Sequence, residues 1–179
     1  MKKILLVFAL CFIFLPATVS ASADLGFKVS SVRFASNKDK FIAGDKERVY
    51  VSVSNYGTED ASGTVIIYRD VQIIGEKPVS VTAQGFADEV YADFVVPDQP
   101  FRIYFELKGI DPTDDNNSNN QFLAHLYEVD IDTDRDGVGN SVDTDDDNDG
   151  LSDVAEDGLG SDPLRYDTDG DGVKDSLDA

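Results

Sequence analysis

Residues 49–54 read Val-Tyr-Val-Ser-Val-Ser, and residues 101–107 read Phe-Arg-Ile-Tyr-Phe-Glu-Leu. In both stretches every second side chain is apolar. Because successive side chains of a β-strand point to opposite faces, this alternation predicts strands with one buried and one solvated face, as in antiparallel sheets. The two stretches therefore predict a β fold whose apolar stripes face a shared core.

Similar short runs of Val, Ile, Tyr and Phe recur between residues 24 and 129, separated by clusters of Asn, Asp, Gly and Pro. Turn residues at such intervals are typical of all-β domains. The pattern predicts a mainly β fold, an antiparallel immunoglobulin-like β-sandwich of about seven strands, with no helix of useful length in this region. The predicted strands are Phe27–Phe34, Arg48–Ser54, Gly63–Arg69, Val71–Ile74, Glu89–Val95, Phe101–Leu107 and Phe122–Val129.

Charge is distributed unevenly along the chain. The whole sequence holds 35 acidic and 15 basic residues, a net charge of −20. From Asp130 onward there are 18 acidic and three basic residues, so this last segment carries −15. The asymmetry predicts a boundary near Asp130. It also argues against nucleic acid and anionic lipid as partners, because both need Lys and Arg on the protein.

The first 23 residues have the features of a secretory signal peptide. Two lysines are followed by the apolar run Ile4–Leu15, which is too short to span a bilayer comfortably. Ala21-Ser22-Ala23 then supplies an A-x-A cleavage site before Asp24. We therefore expect a secreted or cell-surface protein without a membrane span in its mature chain; the alternative is a short uncleaved anchor. Cys11 would leave with the signal peptide, so the mature chain would have no disulfide.

The acidic segment, residues 130–179, contains the pattern D-x-D-x-D-G-x-x-[DN]-x-x-[DE] three times. Calcium-binding loops use side-chain oxygens at positions 1, 3, 5, 9 and 12, a backbone carbonyl at position 7 and a glycine at position 6. The sequence therefore predicts about three Ca²⁺ sites. Their predicted ligands are Asp132, Asp134, Asp136, Val138, Asn140 and Asp143 in loop 1, Asp145, Asp147, Asp149, Leu151, Asp153 and Glu156 in loop 2, and Asp167, Asp169, Asp171, Val173, Asp175 and Asp178 in loop 3.

The loops share their ligand pattern with EF-hands, but an EF-hand needs a helix on each side. Thr144 directly precedes the second loop and leaves no room for a helix there, and Gly158, Gly160 and Pro163 stop any helix soon after it. A dockerin, the other alternative, follows each loop with an amphipathic helix, and no such helix is predicted here. We expect the first loop to bind most weakly, because Arg135 lies inside it.

Two loop motifs carry a family resemblance. Residues 54–62 contain the pattern N-x-G-x-x-x-A-S, and residues 111–120 read Asp-Pro-Thr-Asp-Asp-Asn-Asn-Ser-Asn-Asn. With their flanking strands they resemble the CARDB domain, a bacterial immunoglobulin-like module associated with cell adhesion. The resemblance covers Leu25 to about Asp130; another immunoglobulin-like sandwich remains the alternative. The second motif suits a structural turn, which we favour, although its oxygens could also face an ion.

The acidic segment has a resemblance of its own. The stretches Asp149-Gly-Leu-Ser-Asp153, Gly160-Ser-Asp162-Pro163 and Asp167-Thr-Asp-Gly-Asp-Gly172 are similar to bacterial thrombospondin type 3 repeats. The resemblance covers Asp132 to Asp178 and implies a chain wrapped around calcium ions, which form nearly the whole core. Few large apolar residues occur in this segment, so we expect ion binding and folding to be one event.

These features predict a signal peptide (residues 1–23), a sandwich (24–129) and calcium-binding repeats (130–179). The expected function is non-enzymatic: a secreted surface or adhesion protein whose sandwich is an interaction module on a calcium-rigidified stalk. Its partner would be an unidentified extracellular protein or polysaccharide. The alternative is a carbohydrate-binding accessory module of a secreted hydrolase system, with aromatic residues such as Tyr50, Tyr91 and Tyr104 as a sugar-binding face. No catalytic residue is predicted, and His125 is the only histidine.

Overall fold

The computed structural model describes residues 21–28, 32–36 and 40–178, and its regular structure is mainly β. Two short 3-10 helices, Asn117–Asn119 and Asp175–Leu177, lie among these residues. The strands and the α-helix, in chain order, are β1 (Leu25–Phe27), β2 (Arg33–Phe34), β3 (Phe41–Ile42), β4 (Lys46–Asn55), β5 (Ala61–Arg69), β6 (Gln72–Val81), β7 (Phe86–Val95), β8 (Phe101–Asp111), β9 (Gln121–Tyr127), β10 (Val129–Asp130) and α1 (Asp153–Leu159).

Two antiparallel sheets form the sandwich. In the first, β4 pairs with β7 along one edge and with β1 and β2 along the other. The second has the order β6-β5-β8-β9. A small parallel pair, β3 with β10, adds a third element at the point where the acidic segment begins. The predicted antiparallel β-sandwich is confirmed.

Strands β4 and β8 supply much of the core, as their alternation predicts. On β4, Val49 and Val53 are fully buried and Val51 nearly so, while the residues between them are partly exposed. On β8, Phe101 and Phe105 are fully buried in the same way. Burying one such side chain contributes about 1.5–3 kcal/mol, so these two strands are a large part of the driving force for folding.

An aromatic cluster closes the end of the sandwich from which the acidic segment departs. The ring of Phe41 on β3 lies 4.7 Å from that of Phe34, 5.4 Å from that of Phe101 and 5.5 Å from that of Tyr127. Edge-on arrangements at these distances add to the energy of area burial. The cluster holds β3 in place, and β3 in turn pairs with β10.

Several strand boundaries were predicted wrongly. The predicted strand Val71–Ile74 overlaps only the start of β6, which begins at Gln72 and continues through Pro78 to Val81. A proline is tolerated because β6 lies at a sheet edge. The predicted strand Phe122–Val129 is divided between β9 and β10, and β3 was not predicted at all. The ends of the predicted strand Phe27–Phe34 belong to β1 and β2, and residues 29–31 between them lie outside the described residues.

The prediction that no helix follows a loop in the acidic segment is wrong for the second loop. Helix α1 begins after Ser152, whose side chain caps the N–H of Ala155. It ends at Gly160, which adopts a left-handed backbone (φ 91°) and donates its N–H to the carbonyl of Glu156 at 2.7 Å. The helix has only seven residues and ends before Gly160, as the sequence indicated, whereas Gly158 lies within it.

Among the described residues, no helix is both long and apolar enough to cross a membrane. The apolar run of the predicted signal peptide, residues 4–15, lies outside the described residues, so the signal peptide stays a prediction.

Candidate metal centre

Each of the three acidic loops brings its first three aspartates together. In every loop, one carboxylate oxygen from each aspartate lies within 4.8 Å of the other two. Oxygens this close can share one hard cation, which takes six to eight oxygen ligands at 2.3–2.6 Å. The three groups are Asp132, Asp134 and Asp136; Asp145, Asp147 and Asp149; and Asp167, Asp169 and Asp171.

Backbone hydrogen bonds inside each loop hold these carboxylates in place. In the third loop, Asp167 accepts the N–H groups of Gly170 and Gly172, both at 2.7 Å. Asp169 and Asp171 each accept the N–H two residues further along, at 3.0 and 2.8 Å. The hydrogen bond from Gly172 is the main reason that the pKa of Asp167 lies below its usual value.

The other two loops repeat this pattern with one variation. In the first loop, Asp132 accepts from Arg135 at 2.7 Å and from Gly137 at 3.0 Å. In the second, Asp145 accepts from Asp149 at 3.2 Å and from Gly150 at 3.1 Å, so the first contact is displaced by one residue. These hydrogen bonds hold the carboxylate oxygens of each loop close together, as a shared cation requires.

The loop curls through two left-handed residues rather than the one that the sequence indicated. Position 6 is glycine in every loop, with φ between 95° and 98°. The residue at position 4 also adopts a left-handed backbone conformation, which was not predicted. Two of the loops have Asn or Gly at this position, and both residue types favour that conformation. The position-4 residues are Arg135 (φ 67°), Asn148 (φ 57°) and Gly170 (φ 79°).

Position 9, predicted as a ligand, closes each loop by bonding to the backbone of position 2. This hydrogen bond is present in all three repeats and brings the end of the loop back to its start. The bonds are Asn140 Oδ1 to the N–H of Thr133 at 3.0 Å, Asp153 Oδ1 to the N–H of Asp146 at 3.0 Å, and Asp175 Oδ1 to the N–H of Thr168 at 3.0 Å.

Glu156, position 12 of the second loop, is the most unusual of the carboxylates that the structure describes. It lies on α1, is fully buried, and accepts one hydrogen bond, from Ser161 Oγ to Oε1 at 3.3 Å. Its Oε2 is buried without a hydrogen-bond partner. Burial, followed by the negative charge of Asp147, raises the pKa of Glu156 to about 7. A buried carboxylate in this position needs either a proton or a cation.

Three further carboxylate oxygens in the loops are buried without a partner: Asp134 Oδ2, Asp146 Oδ1 and Asp147 Oδ2. Burial is the first cause that raises the pKa of both Asp146 and Asp147, and neighbouring carboxylates add to it. Each of these unpartnered atoms is a carboxylate oxygen, which accepts hydrogen bonds. Its missing partner is therefore either a cation or a hydrogen-bond donor. The residues present therefore fit a hard divalent cation with oxygen ligands.

The predicted ligands at position 12 of the first and third loops are more exposed to solvent than Glu156. Asp143, position 12 of the first loop, accepts the N–H of Thr144 at 2.7 Å and that of Asp145 at 3.2 Å. Asp178, position 12 of the third loop, is exposed and lines an open pocket with Asp169 and Asp175. At position 7, each N–H donates to the position-5 carboxylate of its own loop, and the ligand role of the position-7 carbonyls stays a prediction. These residues are Val138, Leu151 and Val173.

The first loop is attached to the sandwich through Asp130. The carbonyl of Asp130 on β10 accepts the N–H of Ala43 at 2.9 Å, and its carboxylate accepts a hydrogen bond from Ser141 Oγ. Lys40 Nζ donates to Ser141 Oγ at 2.6 Å and lies 3.8 Å from the Asp130 carboxylate. The hydrogen bond from Ser141 is the main cause that lowers the pKa of Asp130. The junction is therefore a set of side-chain contacts and not a bare linker.

The Asn- and Asp-rich motif at residues 111–120 makes the contacts of a structural turn. Asn116 caps the 3-10 helix through the N–H of Ser118, and Asn119 Nδ2 donates to Asp24 Oδ1 at 2.8 Å. Asp114 accepts the N–H of Asn116 at 3.0 Å. One oxygen each of Asp114, Asn119 and Asn120 is nevertheless buried without a partner. The turn interpretation accounts for the hydrogen bonds but not for these three oxygens.

Comparison with known proteins gives matches to structures only. No family model matches the sequence, and no curated protein matches it. The chain is similar to the crystal structure of a CARDB domain from Pyrococcus furiosus, in complex with di-metal ions. The identity is 17% and the TM-score 0.49, over 60% of this chain and 89% of that one. A solution NMR structure of the same domain matches at 16% identity and a TM-score of 0.47, over 61% of this chain and 96% of that one.

A β-glucosidase from Erythrobacter marinus matches at 16% identity and a TM-score of 0.42, over 60% of this chain but only 15% of the enzyme. At TM-scores below 0.5, these matches assign neither a family nor a function to the chain. The CARDB resemblance of the sandwich and the thrombospondin type 3 resemblance of the acidic segment both stay predictions.

Proposed function

We propose that residues 130–178 bind Ca²⁺ at three loops, and that the bound ions stiffen this segment into a stalk for a secreted, non-enzymatic interaction module. The observation that carries the proposal is the threefold convergence of aspartate oxygens within 4.8 Å. It is supported by the buried, unpartnered oxygens of Glu156 and Asp147 beside the second group. A purely solvating acidic tail would have no reason to bury carboxylates.

The mechanism is electrostatic. The segment carries a net charge of −15, and three divalent ions would neutralise six of these charges. Empty loops repel one another, whereas filled loops replace that repulsion with ion–oxygen contacts. Calcium suits these loops better than magnesium, because Mg²⁺ requires near-ideal octahedral geometry and dehydrates reluctantly. Extracellular modules of this kind bind calcium at roughly 10⁻⁴–10⁻³ M.

The direct test is calorimetric titration of the metal-stripped mature chain with calcium, followed by the same titration with magnesium. We expect about three calcium ions per chain, and tighter binding of calcium than of magnesium. The matched pair of variants is Asp147→Asn, inside the second loop, and Asp157→Asn, which removes the same charge from an exposed position on α1. The first should lose one ion and the second none. Equal losses would refute the assignment of ions to the loops.

A polysaccharide is a second candidate partner, favoured by one row of side chains on the outer face of the second sheet. Register places Ile73, Tyr68, Tyr104 and Leu123 side by side across four strands. Ile73 and Leu123 are 49% and 58% exposed, and the two tyrosine rings lie 5.3 Å apart. By contrast, Tyr50, which was predicted for a sugar-binding face, has a guanidinium 3.9 Å over its ring.

Affinity electrophoresis in gels containing neutral polysaccharides tests this candidate. The variant Tyr104→Ala should abolish a retardation that the unchanged protein shows, whereas Tyr50→Ala on the other sheet should not. If no polysaccharide retards the protein, or if both variants behave alike, the row of side chains is not a sugar site.

A further inference from the structure

Ser22 and Ala23 already belong to the sandwich. Cleavage at the A-x-A site after Ala23 would remove both residues. Ala21 is exposed, Ser22 is partly buried, and Ala23 is fully buried as a member of the hydrophobic core. Exposure thus falls to zero within two residues. The structural start of the domain lies at Ser22.

Backbone hydrogen bonds hold these two residues to separate parts of the sandwich. The carbonyl of Ser22 accepts the N–H of Thr58 at 2.7 Å and that of Glu59 at 3.1 Å. The N–H of Ser22 donates to Thr58 Oγ1 at 3.1 Å. The carbonyl of Ala23 accepts the N–H of Asp115 at 3.0 Å, beside a parallel bridge between Ala23 and Asp114. Residues 22 and 23 therefore tie the loop after β4 to the loop after β8.

Gly57 has no Cβ atom, and this lets residues 22–24 pass close to the loop after β4. A Cβ atom at residue 57 would lie 2.3 Å from the carbonyl oxygen of Ser22 and 2.8 Å from the Cα of Ala23. Backbone atoms at such distances cannot give way locally, so only glycine lets the segment approach. The loop at residue 57 is thus built around residues 22–24.

We propose that the precursor is cleaved between Ala21 and Ser22, so that the mature chain begins Ser22-Ala23-Asp24. Val19-Ser20-Ala21 offers a second A-x-A-like site, with a small aliphatic residue at −3 and alanine at −1. This inference rests on the secretion that is part of the proposed function. Hydrolysis consumes one water and leaves a carboxylate on Ala21 and an ammonium on Ser22. That ammonium keeps a donor beside Thr58 Oγ1, where the Ser22 N–H lies.

Cleavage after Ala23 would have the opposite effect on the fold. It would remove the carbonyls that accept from Thr58, Glu59 and Asp115, and it would empty the core position of the Ala23 methyl group. It would also place a new ammonium on Asp24, whose N–H faces Asn55 Oδ1 at 3.4 Å. Of the three backbone atoms that approach Gly57 most closely, only the nitrogen of Asp24, 2.8 Å from the position of a Cβ, would then remain.

The first experiment expresses the full precursor in a secreting bacterial host and determines the N-terminus of the exported protein by intact mass and N-terminal sequencing. We expect Ser22 as the first residue. A start at Asp24 would overturn the proposal while leaving secretion intact. A precursor that stays inside the cell uncleaved would overturn both the cleavage and the secretion on which it rests.

The second experiment separates the fold from the export pathway. Two chains, one starting at Ser22 and one at Asp24, are produced without a signal peptide, and their melting temperatures are compared in excess calcium. The longer chain should melt several degrees higher, and Gly57→Ala should lower its melting temperature more than that of the shorter chain. Equal melting temperatures, or equal effects of Gly57→Ala, would overturn the structural basis of the proposal. Such a result would leave the proposed calcium binding untouched.

Discussion

The backbone N–H of Ser176 donates to Oδ2 of Asp149 at 2.7 Å and ties the third repeat to the second. Ser176 Oγ donates to the Asp149 carbonyl at 2.7 Å, and Lys174 Nζ donates to the same carbonyl. The other oxygen of the Asp149 carboxylate accepts the N–H of Leu151 at 2.6 Å within its own loop. One aspartate therefore serves two repeats.

This shared residue predicts that the second and third loops bind calcium as a coupled pair. Asp149→Ala should remove the ion of the second loop and also weaken the third, because it deletes the hydrogen bond from the N–H of Ser176 to the carboxylate. One such bond is worth about 0.5–1.5 kcal/mol, or roughly two- to tenfold in affinity. Calorimetric titration of the variant measures both effects. The matched variant is Asp171→Ala, at the same position of the third loop. If each variant affects a single ion only, the loops are independent.

A second prediction concerns Glu156. Its amide analogue, Glu156→Gln, should have opposite effects with and without calcium. Without calcium the segment keeps only a small residual stability, and the change should raise this residual stability because it relieves a buried carboxylate. With calcium, it removes an anionic ligand and should weaken the second site by about tenfold, or about 1.4 kcal/mol. Asp157→Asn changes the next residue of the helix, which is exposed. It should change neither the stability without calcium nor the calcium affinity. A variant that is stabilised under both conditions would show that Glu156 is not a ligand.

The raised pKa of Glu156 gives a third prediction, on pH. The folded metal-free segment keeps a proton on Glu156 up to a pKa of about 7, whereas the unfolded chain loses it near the ordinary value of 4.5. Metal-free stability should therefore fall as pH rises through this window, because the folded state binds more protons than the unfolded state. Calcium displaces the proton, so its affinity for the second site should rise with pH up to about 7. Titrations in two buffers of different ionisation enthalpy measure the proton release; identical heats would contradict it.

A fourth prediction separates the two parts of the chain. Among the described residues, every buried hydrophobic residue of the core lies between Ala23 and Ala124, and none lies in the acidic segment. Chelation should therefore make residues 131–178 sensitive to protease and leave the sandwich resistant. Limited proteolysis with mass spectrometry, with and without chelator, shows the difference. A sandwich that is digested at the same rate as the segment would mean that the two fold as one unit.

A fifth prediction concerns a variant in the sandwich and not in the loops, Phe101→Ala on β8. Removing this fully buried ring should destabilise the sandwich by about 3–5 kcal/mol. Calcium affinity, measured well below the melting temperature, should stay unchanged, because the loops draw no ligand from β8. Denaturant unfolding and calorimetry test the two halves of this prediction separately. A large loss of affinity would show that the aromatic cluster under β3 controls the loops.

The parts of this fold that were predictable depend on neighbours in sequence. Alternation revealed β4 and β8, since the side-chain period of a strand is a local property. The same reasoning failed at β6, because Gly75 and Pro78 suggest a turn unless one knows that the strand lies at an edge. Strand β3 was missed for a related reason. Two residues show no period, and only the pairing with β10 defines them as a strand.

In the candidate metal centre, too, some features follow from the local sequence and others depend on contacts between distant residues. Sequence alone determined the three aspartate triads, because positions 1, 3 and 5 of one loop are brought together by local turns that their own carboxylates cap. Only the tertiary structure decided that Glu156 is buried, that Asp149 reaches Ser176, and that Ala23 belongs to the core. Each of these depends on contacts between residues distant in the chain, and no local pattern specifies which distant surfaces meet.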